Sequence, residues 1–115
     1  PAGSKAPAGA KINPPLLTAN NETVAQGEQS YNQYCAVCHG RNSVPAAGAT
    51  APDLRYSEVL RNNEIWHAIV DGQRAAQGMP SFKSIMRPGE SDSILAYVVK
   101  RANDEKAAQE AAGAR

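Results

Sequence analysis

The sequence predicts an all-α domain whose helices are separated by long loops. Apolar residues recur at helical spacing in three segments, near residues 21–34, 56–72 and 87–102. No stretch of convincing length alternates between apolar and polar residues as a half-buried strand does, and no internal repeat is visible. Long loops in a small domain indicate a ligand that organises them.

Few large apolar side chains are available to form a hydrophobic core in this chain of 115 residues. Leu, Ile, Val and Phe make up 18 residues, about 16% of the chain. That share lies below the roughly 20% at which disorder becomes a concern. The formal net charge of +1 argues against a nucleic-acid-binding protein. No apolar run approaches the roughly 18 residues of a membrane span, and the N-terminus shows no signal-peptide pattern.

The chain divides into three parts by composition. Residues 1–20 contain four of the eight prolines and little periodic hydrophobicity, so a Pro/Ala-rich linker or flexible extension is predicted. Residues 14–17 are apolar enough to lie across the surface of the domain. The folded domain is predicted to span residues 21–103. Residues 104–115 are helix-competent but lack an apolar face, which predicts a frayed helical tail.

The first helix is predicted over residues 21–34, with Asn21 or Thr23 as its N-cap. Gly27 lies on its apolar face together with Tyr31. Glycine disfavours a helix by about 1 kcal/mol relative to alanine. We therefore expect Gly27 to permit the close approach of a second helix.

The second helical stretch is predicted to begin at Tyr56 or Ser57 and to end at Asp71-Gly72, because glycine commonly terminates helices. Residues 40–55 and 73–83 are predicted loops. The last helix is predicted to start at Pro88, a residue favoured at the first helical position.

The residues that carry chemistry are Cys35, Cys38 and His39, which form a Cys-x-x-Cys-His motif. This spacing is typical of covalent haem c attachment, with two thioethers to the haem and the histidine as proximal iron ligand. A zinc site would need four ligands, and a thioredoxin-like pair would need a βαβ context. Neither is visible in the sequence. A plain disulfide between the two cysteines remains an alternative.

The sixth iron position has several candidate ligands: Met79, Met86, His67, a lysine, or none. Met79 is favoured because Gly78-Met79-Pro80 predicts a fixed, irregular loop that can present a thioether. Met86 is predicted to pack in the core, and His67 to be a surface or packing residue. Histidine and methionine together raise the reduction potential and suit electron transfer.

These motifs resemble class I cytochrome c over about residues 23–101. That family implies three to five helices around one covalently bound haem. It also implies that Gly27 and Tyr31 pack against Ile94 and Tyr97, and that the Pro52 carbonyl accepts a hydrogen bond from the His39 ring. The resemblance is carried by Gly27-x-x-x-Tyr31, Cys35 to His39, Ala51-Pro52-Asp53-Leu54, Gly78-Met79-Pro80 and Ile94-x-x-Tyr97-Val98.

A narrower resemblance is to the C-terminal cytochrome domain of quinohaemoprotein alcohol dehydrogenases. In those proteins an extended linker, here residues 1–20, joins a pyrroloquinoline-quinone propeller to the cytochrome. The resemblance implies that Arg55, and less clearly Arg74, lies near a haem propionate, while the position of Trp66 relative to the haem stays open. It is carried by Pro52-Asp53-Leu54-Arg55-x-Ser57, Ile69-Val70-Asp71-Gly72, Gly78-Met79-x-x-Phe82 and Ile94-x-x-Tyr97-Val98-x-x-Arg101-Ala102.

The resemblance implies an electron-transfer module with no catalytic residues of its own. Its donor would be a pyrroloquinoline-quinone dehydrogenase domain or subunit, and its acceptor a soluble carrier or a terminal oxidase. The expected compartment is the periplasm. Two alternatives stay open: a free-standing soluble cytochrome c that serves a terminal oxidase, and a haem sensor or peroxidase with labile methionine ligation.

Overall fold

The computed structural model describes residues 11–113, and the predicted all-α class is confirmed. Short 3₁₀ and π turns connect the α-helices of this part of the chain, which contains no strand. None of the helices within residues 11–113 is both long and apolar enough to cross a bilayer. The α-helices are α1 (Asn21–Tyr34), α2 (Ala36–His39), α3 (Asn63–Ala68) and α4 (Glu90–Gly113).

Helix α1 has the bounds that the sequence predicts, but its cap lies one residue earlier. The Asn20 side chain accepts a hydrogen bond from the Thr23 backbone N–H at 2.8 Å. The prediction of Asn21 or Thr23 as the cap was wrong, because Asn20 has the extended backbone of an N-cap while Asn21 is already helical.

Helices α1 and α4 form the central contact of the domain, and Gly27 lies at their closest approach. A Cβ atom on Gly27 would stand 1.8 Å from the carbonyl oxygen of Ser93. Nearby, the rings of Tyr31 and Tyr97 pack with centroids 5.2 Å apart at a tilt of 53°, an arrangement that aromatic pairs favour. The predicted close approach at Gly27 and the pairing of these aromatic residues are therefore confirmed.

The middle of the chain is less regular than predicted. A 3₁₀ turn spans Glu58–Arg61, α3 follows after a break at Asn62, and a π turn spans Ile69–Gln73. The Asn62 side chain accepts the Ile65 backbone N–H at 3.1 Å, so it caps a new helix instead of continuing the old one. The predicted end at Gly72 agrees with its φ of 120°, which disfavours other residues.

Helix α4 begins two residues later than predicted, because Pro88 and Gly89 lie in a turn before it. Glu90 organises this start. Its carboxylate accepts hydrogen bonds from the Arg87 backbone N–H at 2.7 Å, the Ser30 hydroxyl at 2.8 Å and the Tyr34 hydroxyl at 3.2 Å. Glu90 therefore ties the first turn of α4 to α1.

The contacts of Glu90 predict a pH dependence of stability. The Arg87 backbone N–H above all, together with Ser30 and Tyr34, holds the pKa of Glu90 below its ordinary value of 4.5. The folded-state pKa is depressed, so the stabilisation is complete above the unfolded-state value and is lost as the pH falls through the folded-state value. We expect Glu90→Gln to cost about 1–3 kcal/mol at pH 7 and much less at pH 3.

Urea unfolding of the haem-loaded protein at both pH values measures this difference. Glu110→Gln is the matched control, since Glu110 lies on the same helix with an exposed side chain. An equal loss of stability for Glu90→Gln at pH 7 and pH 3 would contradict the assignment.

The segment predicted to fray is helical as far as Gly113. Its side chains have partners outside the helix. Glu105 accepts a hydrogen bond from Arg55 at 3.1 Å, and Gln109 donates to the Tyr56 hydroxyl at 2.9 Å. These contacts explain why the helix continues past residue 103 without an apolar face.

Residues 11–20 form neither helix nor strand and lie against the domain, as the apolar character of residues 14–17 allowed. Pro14 is buried, and Ile12 and Leu17 pack against the core. The Arg61 guanidinium donates to the Asn13 carbonyl and side-chain oxygens and to the Pro14 carbonyl, at 2.9–3.1 Å. This part of the segment is therefore attached, whereas residues 1–10 and 114–115 lie outside the described residues. The domain boundaries themselves stay a prediction.

Candidate haem site

The Cys-x-x-Cys-His motif lies in a tight turn directly after α1. Cys35 ends α1, and α2 follows with the His39 N–H bonded to the Cys35 carbonyl at 2.9 Å. This single helical turn brings Cys35, Cys38 and His39 close together, since residues three and four apart are neighbours on a helix. Gly40 ends the turn with a φ of 87°, and a Cβ there would stand 1.9 Å from the Val44 carbonyl oxygen.

The His39 ring is buried and oriented by a backbone carbonyl. Its Nδ1 lies 3.0 Å from the Pro52 carbonyl oxygen, and His39 is 7% exposed. A carbonyl only accepts, so Nδ1 carries a proton, and in the neutral ring this tautomer leaves the lone pair on Nε2. This is the hydrogen bond that the resemblance implied, and it prepares Nε2 to bind a metal.

The two cysteines are separate thiols with different environments. Cys35 is half-buried and Cys38 is exposed, and no disulfide joins them. Burial, reinforced by the neighbouring Cys38, raises the pKa of the Cys35 thiol to about 12. Within residues 11–113, no three His, Cys, Asp or Glu side chains are grouped to hold a metal ion. Two neighbouring thiols that can form thioethers to a haem, followed by an oriented imidazole that can ligate its iron, fit haem c.

Met79 lies in a loop whose backbone is anchored on both sides. The Met79 N–H donates to the Arg74 carbonyl at 3.2 Å, and the Phe82 N–H donates to the Val70 carbonyl at 2.9 Å. Gly78 has a φ of 100°, which lets the chain turn before Met79. The half-buried Met79 side chain therefore stands on a defined loop, and its role as an iron ligand stays a prediction.

Two of the other candidate ligands, Met86 and His67, have structural roles. Met86 packs against the core cluster, as predicted. Both ring nitrogens of His67 are bonded, since Nε2 lies 2.8 Å from the Asp92 carboxylate and Nδ1 lies 3.0 Å from the Ser91 hydroxyl. His67 is therefore a partly exposed, hydrogen-bonded histidine near the surface, which agrees with the prediction of a surface or packing residue.

Arg55 is held by two carboxylates of the protein. Its guanidinium bonds to the Asp53 carboxylate at 2.7 and 3.0 Å and to Glu105 at 3.1 Å. The side chain is only 1% exposed, so these bonds are shielded from water. The implied position of Arg55 near a haem propionate stays a prediction.

The other two uncertain residues are also located. The Arg74 side chain is exposed. Trp66 is 6% exposed, and its indole N–H donates to the Ser91 carbonyl at 3.1 Å. Trp66 thus belongs to the protein core and joins α3 to α4. Sequence reasoning missed Asp53 and Glu105 as the partners of Arg55, and only the Asp53-x-Arg55 spacing signalled one of them.

An all-α domain with a Cys-x-x-Cys-His turn and an oriented histidine defines a c-type cytochrome. Residues 22–98 match the family described as cytochrome c oxidase, cbb3-type, subunit III. The chain belongs to this cytochrome c family, and its cofactor is haem c.

The relatives narrow this assignment. The chain is 38% identical over 98 residues to quinohemoprotein alcohol dehydrogenase ADH IIB of Pseudomonas putida, covering 84% of this chain and 14% of that protein. It is 35% identical over 94 residues to the dehydrogenase subunit of an alcohol dehydrogenase (quinone) of Acetobacter aceti, covering 81% of this chain and 12% of that protein. The chain thus spans about one seventh of the curated relatives or less.

A solved structure agrees with these matches. The quinohemoprotein alcohol dehydrogenase ADHIIG of Pseudomonas putida HK5 superposes with a TM-score of 0.71 at 34% identity. The alignment covers 86% of this chain and 14% of that one. The chain is therefore a cytochrome c domain homologous to the cytochrome part of quinoprotein alcohol dehydrogenases, which supports an electron-transfer module without catalysis of its own.

Proposed function

We propose that this domain carries single electrons through a haem c that is ligated by His39 and Met79. The electrons come from a pyrroloquinoline-quinone dehydrogenase domain or subunit and pass to a soluble carrier or a terminal oxidase. The haem supplies reversible one-electron chemistry when it is bound. The compartment that fits thioether-bound haem in such relatives is the periplasm.

The observation that carries this proposal is the orientation of His39. Its Nδ1 proton is donated to the Pro52 carbonyl at 3.0 Å, so the ring needs no rearrangement to offer Nε2 to iron. Cys35 and Cys38 hold the cofactor from the same turn. A covalently attached and rigidly ligated haem changes little in geometry between oxidation states, which favours electron transfer over substrate chemistry.

Met79 is the sixth ligand in this proposal because of its loop. The anchors at Arg74 and Val70 fix the backbone on both sides of a half-buried thioether. Methionine opposite histidine raises the potential and blocks the position to small molecules. Met86 and His67 are engaged in packing and hydrogen bonds, so they are not proposed as ligands.

Replacement of Met79 tests the ligation. We expect Met79→Ala to lose the optical band of methionine-ligated ferric haem and to lower the reduction potential by on the order of 0.1 V, part of the roughly 0.8 V range that axial ligands span. Its reduced form should bind carbon monoxide quickly. Spectroelectrochemistry and a carbon monoxide titration measure these effects.

Met86→Leu is the matched control, because it conserves the volume of the other methionine. It should keep the band and the potential. A Met79→Ala protein with an unchanged band and potential would overturn the assignment. Fast and complete carbon monoxide binding by the unaltered protein would instead favour the sensor or peroxidase alternative.

The proposed electron donor is tested by mixing this protein with a dehydrogenase of the proposed type. The oxidised protein is added to a pyrroloquinoline-quinone alcohol dehydrogenase and its alcohol, and haem reduction is followed by stopped-flow absorbance. Reduction that depends on both the dehydrogenase and the alcohol supports the proposed donor. Absence of reduction, with the haem intact and the potential favourable, argues for a free-standing cytochrome with another donor.

A further inference from the structure

The orientation of the Pro52 carbonyl depends on the residue that follows it. The Pro52 carbonyl and the Asp53 nitrogen belong to one planar peptide group, so rotation of Asp53 moves the carbonyl oxygen. The proline ring fixes φ on the other side of that peptide. Whatever holds Asp53 therefore also holds the acceptor of the His39 Nδ1 proton.

Asp53 is held firmly by Arg55. One Asp53 carboxylate oxygen accepts both the Arg55 backbone N–H and the Arg55 Nε–H at 3.0 Å, and the other accepts from the guanidinium at 2.7 Å. The Asp53 carbonyl also accepts the Tyr56 N–H at 3.2 Å. The Asp53 and Arg55 side chains are 0% and 1% exposed, so water does not compete for these bonds.

Arg55 is in turn hydrogen-bonded to the C-terminal half of α4. The third guanidinium nitrogen of Arg55, Nη1, donates to a carboxylate oxygen of Glu105 at 3.1 Å. The Glu105 side chain is 17% exposed. Gln109 donates to the other Glu105 oxygen at 3.0 Å and to the Tyr56 hydroxyl at 2.9 Å. A continuous set of hydrogen bonds and peptide groups thus runs from α4 to the proximal histidine.

We propose that Glu105 is a positioning residue for the proximal haem ligand, because through Arg55 and Asp53 it holds the Pro52 carbonyl against the His39 Nδ1 proton. A firm hydrogen bond at Nδ1 makes the imidazole a more basic ligand and lowers the iron potential. The inference rests on the proposed role of His39 as an iron ligand.

The test measures the Nδ1 proton itself. In the reduced, haem-loaded protein labelled with ¹⁵N-histidine, we expect Glu105→Ala to speed the solvent exchange of the His39 Nδ1 proton by about tenfold or more. The midpoint potential should rise with it. Glu105→Gln keeps an acceptor for Arg55 without the charge, so it should restore the exchange rate nearly to that of the unaltered protein.

The controls distinguish a positioning role of Glu105 from an effect of its charge and from an effect on folding. Glu110→Ala removes an exposed carboxylate from the same helix and should change neither quantity. If Glu105→Ala lowers the unfolding temperature but leaves the exchange rate unchanged, the network is structural only and the proposal is overturned. If both Glu105 variants raise the potential equally with unchanged exchange, the effect is one of charge, which also overturns it.

The same NMR experiment gives a different result if the proposed role of His39 as an iron ligand is wrong. Were His39 not bound to iron, its ring resonances in the oxidised, unaltered protein would lack the large through-bond contact shifts of an iron ligand. Resonances that show these shifts but do not respond to Glu105→Ala would reject only the role of Glu105. Should Glu105→Ala fail to accumulate with haem, Glu105→Asp shortens the same side chain and should accelerate exchange in the same direction; an unchanged rate there overturns the proposal.

Discussion

Gly27→Ala should lower the free energy of unfolding of the haem-loaded protein by about 2 kcal/mol or more. The added Cβ would stand 1.8 Å from the Ser93 carbonyl oxygen and 2.5 Å from its carbon. Both are backbone atoms of α4, so no side-chain rotation relieves the clash and the two helices must separate. Overpacking costs about 1–3 kcal/mol and occasionally more. A clash with backbone atoms lies at or above the upper end of that range, so about 2 kcal/mol or more remains after the roughly 1 kcal/mol that alanine gains over glycine in a helix.

The separation should also loosen the packing of Tyr31 against Tyr97, whose rings lie 5.2 Å apart at the same interface. Denaturant unfolding followed by circular dichroism measures the loss. Gly113→Ala is the matched control, because no atom lies within 4 Å of its added Cβ and the residue is helical. Equal stability of the two variants would mean that α1 and α4 separate without cost.

Loss of the haem is the second change that we expect to have a large effect on the fold. We expect Cys35→Ala/Cys38→Ala, which cannot form thioethers, to lose most of its helical circular dichroism at 25 °C. The polypeptide offers 18 Leu, Ile, Val and Phe residues, and of these Leu16, Val37, Ile65 and Ile85 are exposed. With so few large apolar residues, we expect the polypeptide core of this small domain to be marginal without the haem.

Val37→Ala is the control for this double variant, since Val37 lies between the two cysteines and is 90% exposed. It should attach haem and keep its helices. The unaltered chain produced without haem provides a second test, because it retains both thiols. Full helicity in either haem-free protein would show that the polypeptide core suffices.

Local features of the fold were predictable from the sequence because their causes are local. The bounds of α1 followed from helical periodicity, and the requirement for glycine at residue 27 followed from its conflict with helix preference. The end of the middle segment at Gly72 followed from the backbone freedom of glycine. In each case neighbouring residues determine the conformation.

Features that depend on distant partners were missed. Arg55 and Glu105 are 50 positions apart, so no local pattern pairs them. The helical tail was expected to fray for the same reason, since its partners lie on another part of the chain. The break at Asn62 had a local signal, a capping asparagine, but the apolar periodicity on both sides of it outweighed that signal.

The attachment of residues 11–20 changes the geometry of any polypeptide joined upstream. Arg61 and Asn103 hold the backbone at Asn13 to Pro15, so a tether would leave the domain surface there and not at the start of α1. Seven residues fewer in a tether shorten its maximum reach by about 25 Å. A shorter tether confines two joined modules to a smaller volume and raises the effective concentration of each at the other. For any module joined upstream, Arg61 would thereby influence how often that module meets this domain.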